Sequence, residues 1–135
     1  MLDRIDREKL ATAVFAALRI IAGAMFLCHG LQKLFGFWID KPVPVGSQLW
    51  IGAIVELTAG TAIALGWYAR LAAFIASGQM AVAFVQFHWG FHFDRRILPI
   101  VTMADDTVLY CFLFLWIAVR GAGPVSLDRK LRGVS

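Results

Sequence analysis

The sequence predicts an all-α fold, a transmembrane four-helix bundle, and three observations support this prediction. Four long apolar runs cover residues 12–35, 48–67, 71–87 and 98–119, and each is close to the about 20 residues that cross a hydrocarbon core. The chain is 60% hydrophobic with a mean hydropathy of +0.73, which is too apolar for a soluble domain of its length. A few ionisable residues lie inside the runs, where they need partners or water.

Helices fit these runs better than the strands of a barrel do. Barrel strands alternate apolar and polar residues over about ten positions, whereas these runs are continuously apolar. Within lipid, a single segment satisfies its backbone hydrogen bonds only as a helix. Because the connections between the runs are short, we expect residues 1–135 to form one domain.

The first run, residues 12–35, is expected to remain in the mature protein as a helix. It is longer than the roughly 7–15 apolar residues of a signal peptide, and it contains Arg19. At about 100° per residue, one stripe of this helix carries the inward-facing residues, with His29 at its edge. The residues of the stripe are Arg19, Gly23, Phe26, Gly30 and Lys33.

The second run, residues 48–67, carries one carboxylate, Glu56, between Gly52 and Gly60 at four-residue spacing. Glycines at that spacing allow a neighbouring helix to approach closely. Counted from the predicted membrane surface, Arg19 and Glu56 lie at similar depths, so we predict that they form an ion pair. The alternative is that these charges only fix the packing of the helices.

The third run, residues 71–87, ends at His88, and His92 follows four residues later. This spacing would suit a metal site on a continuing helix, with His88 and His92 as ligands. Three aromatic residues surround them, which is typical of a membrane interface, and we therefore predict no metal site. These aromatic residues are Trp89, Phe91 and Phe93.

The fourth run, residues 98–119, contains Asp105 and Asp106 near its beginning. Neighbouring residues diverge by about 100° on a helix, so these two side chains cannot face the same point. Residues 120–135 are expected to form a short surface segment in the cytoplasm. Cys28 and Cys111 lie within separate runs, without the spacing of a redox or zinc motif, and are expected to be buried apolar residues.

The net charge of +4 does not indicate a nucleic-acid partner, because the basic residues flank the apolar runs instead of forming one face. Eight of them lie on the side of the two termini and four on the opposite side. By the positive-inside rule, both termini are cytoplasmic in a multi-pass protein. The eight are Arg4, Arg7, Lys9, Arg70, Arg120, Arg129, Lys130 and Arg132, and the four are Lys33, Lys41, Arg95 and Arg96.

The predicted helices bring a second group of polar residues toward the non-cytoplasmic half of the bundle. Histidine titrates near neutral pH, and with carboxylates it can relay protons or bind a polar ligand. Buried ionisable groups in a membrane are functional candidates by default. We therefore predict a wet cavity lined by His29, Lys33, His88, Asp105 and Asp106.

Five sequence segments resemble the DoxX family of small four-helix membrane proteins, and they extend over nearly the whole chain. The most specific combination is the Arg, His-Gly and Lys of the first helix, the Glu of the second, the His after the third and a Gly-Pro-x-Ser-Leu-Asp exit. The segments are LRIIAGAMFLCHGLQKLFG at 18–36, GAIVELTAG at 52–60, LGWYARLAA at 65–73, QMAVAFVQFHWGF at 79–91 and GAGPVSLDRKL at 121–131.

This resemblance implies a protein of the bacterial cytoplasmic (inner) membrane that is linked with quinone- or thiol-dependent oxidoreductase systems. It implies a soluble or membrane-bound oxidoreductase partner, besides membrane lipid and a second copy of the chain. It also indicates a polar core formed by Arg19, His29, Lys33, Glu56 and His88. The chain departs from the family where it has Ala104, Asp105 and Asp106 at the start of the fourth helix.

Three functions fit these features. In a redox subunit, His29 or His88 would bind a quinone carbonyl, and Glu56 or Asp105 would take the proton. In a binding or transport bundle, a small molecule, lipid or metal would enter between the helices, with Arg19 and Lys33 neutralising an anion. In a scaffold, the polar residues would only fix the helix pairing. No cofactor motif chooses among the three, and whether the chain is an enzyme stays open.

Overall fold

The fold is described by a computed structural model that covers residues 3–134. The predicted all-helical class is confirmed, because helix makes up 76% of the chain and residues 3–134 contain no strand. The predicted end of the tail, Ser135, lies outside the described residues. The helices are α1 (Arg4–Phe35), α2 (Gln48–Leu65), α3 (Ala69–Ala83), a π-helix (Phe84–Trp89), a 3-10 turn (Arg95–Ile97), α4 (Pro99–Thr102), α5 (Asp105–Arg120) and a second π-helix (Asp128–Arg132).

Helix α1 begins eight residues before the predicted start at residue 12. The Asp3 carboxylate accepts a hydrogen bond from the Arg4 backbone N–H and caps the helix there, and Gly36 ends it in a left-handed conformation. The polar N-terminal segment therefore extends the apolar helix by about two turns. With 32 residues, α1 is about 48 Å long, which exceeds the thickness of a hydrocarbon core.

Helices α1 and α2 lie antiparallel with their backbones in direct contact. A Cβ atom placed on Gly23 would lie 2.5 Å from the backbone N of Ala64, and one placed on Gly30 would lie 2.6 Å from the backbone N of Leu57. Gly60 of α2 approaches Leu27 of α1 equally closely. These glycines fix which residues of the two helices face each other, because no side chain separates the backbones.

Helix α3 continues without a break into the first π-helix, so that Ala69–Trp89 is one helical segment of 21 residues. It is longer than the predicted run at both ends. At the beginning, Tyr68 in a left-handed conformation forms the turn from α2, so that the helix starts at Ala69. Gly90 ends the segment with φ 59°.

The fourth predicted run is interrupted, in contrast to the single helix expected over residues 98–119. Pro99 begins the one-turn helix α4, Met103 adopts a left-handed conformation with φ 52°, and α5 begins only at Asp105. Helix α5 then runs antiparallel to α3. Ser77 Oγ donates to the Cys111 carbonyl at 2.8 Å, and the Arg70 guanidinium donates to carbonyls at the C-terminal end of α5.

Within residues 3–134, three helices are long and apolar enough to cross a membrane, namely Arg4–Phe35, Gln48–Leu65 and Ala69–Trp89. Helix α5 has 16 residues and packs against α1 through a cluster of aromatic rings. The Phe26 and Phe114 ring centroids are 4.9 Å apart, and Tyr110 stacks on Phe114. Crossing by α5 remains a prediction.

Candidate functional site

A cavity of about 520 Å³ lies between α1, α2, the α3 segment and α5, toward the C-terminal end of α1. It is large enough for a small organic molecule. Of the residues predicted to form a polar site, Arg19 and Asp105 do not line it. Those that do line it are His29, Lys33, Glu56, His88 and Asp106.

The centre of this cavity is an ion pair between Lys33 and Glu56. Lys33 Nζ lies 2.5 Å from Glu56 Oε1, and Gln79 Nε2 donates to the same oxygen at 3.2 Å and to the Gly52 carbonyl at 3.1 Å. The Glu56 side chain is only 3% exposed, whereas that of Lys33 is 31% exposed. The predicted Arg19–Glu56 pair is therefore wrong, because Lys33 neutralises this carboxylate.

Three buried polar atoms around the cavity have no hydrogen-bond partner among the described residues: Glu56 Oε2, Gln79 Oε1 and the Tyr110 hydroxyl. The Gln79 amide nitrogen donates to the Gly52 carbonyl and to Glu56 Oε1. These two bonds fix the orientation of the amide, and its oxygen has no donor among the described residues. A buried acceptor without a donor costs about 1–3 kcal/mol. Because Glu56, Gln79 and Tyr110 all line the cavity, a bound molecule with hydrogen-bond donors would satisfy these atoms.

His88 lies in the π-helix beside α4. Its Nδ1 lies 3.2 Å from the Thr102 carbonyl, which can only accept a hydrogen bond, so Nδ1 carries the proton. In the neutral ring, Nε2 is then an acceptor. His88 is one of the residues that line the cavity.

His29 and Asp106 complete the polar lining at the rim, where both are exposed. The Asp106 carboxylate accepts from the Thr107 backbone N–H at 2.7 Å in the first turn of α5. Asp105 is also exposed but lies outside the cavity lining, as expected for a neighbour that diverges by about 100°.

His88 and His92 do not share a helix, although their spacing is helical. The π-helix ends at Gly90, and the His92 carbonyl accepts from the Trp89 indole N–H at 2.8 Å. Within residues 3–134 there is no group of three or more His, Cys, Asp or Glu side chains placed to hold a metal ion. Cys28 is exposed and Cys111 is half-buried, so the prediction that both are buried is wrong for Cys28.

Arg19 belongs to a different polar cluster, at the opposite end of the bundle. Its Nη1 donates to the Ile63 carbonyl at 3.2 Å, and its Nη2 donates to the Val125 carbonyl at 2.7 Å. Arg19 is 1% exposed. Ile63 lies in the last turn of α2, where unpaired carbonyls and the negative end of the helix dipole favour a cation. Arg19 therefore closes the end of α2 and joins it to the C-terminal segment.

Asp128 closes the adjoining turn from the other side. Its carboxylate accepts hydrogen bonds from the Tyr68 backbone N–H at 2.9 Å and from the Ala69 backbone N–H at 3.0 Å. It thereby caps α3, which has no cap of its own. The predicted surface tail is thus anchored in the fold by a residue that is 5% exposed.

The pKa of Asp128 lies below its ordinary value. Burial alone would raise this pKa, but the Ala69 and Tyr68 backbone N–H groups and the Arg132 guanidinium together lower it. The stabilisation is therefore present above the unfolded-state pKa of about 3.9 and is lost as the pH falls through the lower pKa of the folded state.

Asp128→Asn tests this assignment. At neutral pH we expect it to reduce the free energy of unfolding by about 1 kcal/mol, as for a lost helix cap. Melting temperatures measured in detergent between neutral and acidic pH should converge for wild type and variant as the wild-type carboxylate is protonated. An unchanged difference across that range would contradict the role of the ionised carboxylate.

Comparisons with known proteins agree with the resemblance seen in the sequence. The DoxX family model matches residues 14–89, more than half of the chain. The chain is also similar to an uncharacterized protein of Haemophilus influenzae, with 32% identity over 127 residues that cover 91% of this chain and 94% of the relative. No solved structure matches the chain significantly.

Proposed function

The chain belongs to the DoxX family, and from this premise we propose that it is a membrane subunit or accessory of a quinone-linked oxidoreductase system. Family membership and the three apolar helices identify it as a membrane protein. Its part in the proposed system is to bind a quinone-class molecule, a flat ring with two opposed oxygens, in the cavity around Glu56.

One observation carries this proposal, namely the unpartnered oxygen of Glu56 beside a cavity within the membrane-spanning segments. A desolvated carboxylate in a membrane is costly, and one of its oxygens is held by Lys33 and Gln79. The other faces no donor in the described protein. The cavity volume of about 520 Å³ suits a single ring with its substituents.

The polar groups of the cavity include both hydrogen-bond donors and hydrogen-bond acceptors. Lys33 Nζ and the Tyr110 hydroxyl can donate to a ring oxygen, whereas Glu56 Oε2, Gln79 Oε1 and His88 Nε2 can accept from a ring hydroxyl. A quinone-class molecule supplies two-electron, two-proton redox chemistry when bound. Glu56 would hold the transferred proton, and the rim residues His29 and Asp106 would exchange it with water.

The position of Arg19 weighs against the anion-transport alternative. Arg19 lies at the other end of the bundle, and Lys33 is already neutralised by Glu56. Asp106 adds a further carboxylate to the cavity lining. A neutral ring therefore suits the site better than an anion does, because an anion would meet uncompensated negative charge.

Native mass spectrometry of the gently solubilised protein tests the proposed function. We expect the wild type to retain a small molecule of quinone mass. The fraction of protein that carries this molecule should be at least about tenfold lower for Glu56→Gln, because the charged acceptor is lost. Gln86→Glu, a charge change at an exposed residue that does not line the cavity, is the matched control. A wild-type chain that never carries such a molecule would contradict the proposal.

We further propose that all four long helices cross the bacterial cytoplasmic membrane and leave both termini in the cytoplasm. The N-terminal half of α1 and the end of α5 lie together, with the Arg120 guanidinium 4.3 Å from the centroid of the Phe15 ring. Basic residues are concentrated at this end. Reporter enzymes fused after the C-terminal residue should be active in the cytoplasm, and periplasmic activity would overturn this topology.

The oxidoreductase partner and a second copy of the chain are proposed partners in the membrane. The partner exchanges electrons with the bound ring, while this chain supplies the binding site and the proton acceptor. Co-purification of an oxidoreductase with the tagged chain from native membranes would support this part of the proposal, and consistent isolation of the chain with lipid alone would count against it.

A further inference from the structure

The cavity has an apolar side that opens between α2 and the α3 segment. On α3, Ile75, Gly78, Gln79 and Val82 line it at helical spacing. On the outer edge, Ile75 and Val82 are 46% and 49% exposed. Both helices are candidate membrane spans, so the opening faces hydrocarbon when the protein is in a bilayer. The Lys33–Glu56 pair also lines this cavity.

Gly78 keeps this side open. A Cβ atom placed on Gly78 would meet nothing within 4 Å, and the residue is exposed although it lines the cavity. On α2, Leu49 and Ile51 form the facing edge and are 42% and 57% exposed. A polar pocket is thus continuous with an apolar groove that leads into the membrane.

We propose that the ligand enters from the bilayer through this opening at Gly78, and that it carries ring hydroxyls as well as a hydrocarbon chain. The hydroxyls donate to Glu56 Oε2 and Gln79 Oε1, which lack donors among the described residues. The hydrocarbon chain lies between Ile51 and Val82. The site therefore prefers a lipid-borne hydroquinone to the corresponding quinone, because a quinone has no hydroxyl to donate. This inference rests on the proposed function and narrows its ligand class.

The path of the chain can be mapped with a hydroquinone whose decyl chain carries a diazirine. After irradiation in lipid nanodiscs, we expect labelled residues within 49–51 and 75–82. Excess methyl-hydroquinone, which shares only the ring, should suppress this labelling, whereas the same excess of methyl-benzoquinone should suppress it less. A diazirine-bearing alkane without the ring should give no labelling that methyl-hydroquinone suppresses.

Gly78→Trp should reduce the suppressible labelling about tenfold, because its large side chain would occupy the groove in which the hydrocarbon chain of the probe lies. Ala81→Trp is the matched control, since Ala81 is also an exposed residue of α3 but does not line the cavity. Gly78→Leu replaces the tryptophan variant if circular dichroism shows that the latter is unfolded.

The outcomes separate the two proposals. Suppressible labelling on another helix face, or labelling that Gly78→Trp leaves unchanged, would overturn the entry path while leaving a ligand in the cavity. Equal suppression by methyl-benzoquinone would overturn the preference for hydroxyls. The absence of any suppressible labelling in the wild type would overturn the proposed function together with this inference.

Discussion

Gly60→Ala is expected to lower the free energy of unfolding by about 3 kcal/mol, the upper end of the usual cost of overpacking. The added methyl group would lie 2.5 Å from the backbone N of Leu27 and 2.8 Å from the Gly23 carbonyl oxygen. Both neighbours are backbone atoms of α1, which cannot rotate away as a side chain could. The two helices would have to separate along their whole contact.

Gly78→Ala is the matched control for this substitution, because its methyl group would meet nothing within 4 Å. Alanine favours a helix over glycine by about 1 kcal/mol, so this variant should be neutral or more stable. Equilibrium unfolding in detergent micelles measures both changes. Equal effects at the two positions would show that α1 and α2 do not touch at Gly60.

The apolar runs predicted the existence of the long helices, because a span in lipid needs an unbroken apolar segment, but they did not predict the start of α1 at Arg4 or of α5 at Asp105. The inward stripe of α1 was also predictable, since Arg19, Gly23, Phe26 and Gly30 are all buried. Helical periodicity alone places these residues on one face. The interruption at Met103 was not predictable, because a left-handed conformation is uncommon for a residue other than glycine.

The predicted Arg19–Glu56 pair was wrong because contacts at glycines, and not the ends of the apolar runs, set the alignment of α1 and α2. Depth was counted from the predicted ends of the runs, but α1 begins eight residues earlier. The register is set instead by Gly23 against Gly60 and Gly30 against Ala53. This alignment brings Glu56 level with Gly30, about one turn from Lys33, and Arg19 level with the end of α2.

Asp128 was missed because its partners are backbone N–H groups about 60 residues earlier in the chain. A carboxylate in a basic tail resembles a solvated charge when only the sequence is considered. Its capping of α3 depends on the tertiary fold, which no local pattern encodes.

The charged interior of the bundle is divided into two independent clusters. One joins Arg19 to the end of α2, and the other holds the Lys33–Glu56 pair at the cavity. Lys33→Met would leave a nearly fully buried carboxylate without its cation. Breaking a buried pair costs about 3–5 kcal/mol, and we expect about 3 because the Lys33 side chain is 31% exposed.

Removing both charges should cost less than the sum of the single substitutions. For Lys33→Met with Glu56→Gln, we expect an interaction energy of about 1–3 kcal/mol, as for groups in direct contact. For Arg19→Met with Glu56→Gln, we expect additivity within about 0.5 kcal/mol, as for distant sites. Arg19→Met alone should still destabilise the bundle, because the Val125 carbonyl loses the Arg19 donor and the Ile63 carbonyl keeps only the Gly66 backbone N–H.

The most direct test is a pair of double-mutant cycles, measured by equilibrium unfolding in the same detergent. The two-cluster arrangement predicts strong coupling between Lys33 and Glu56 and none between Arg19 and Glu56. Coupling of Arg19 to Glu56, with additivity for Lys33 and Glu56, would mean that the buried carboxylate pairs with the arginine and would contradict the site described for this protein.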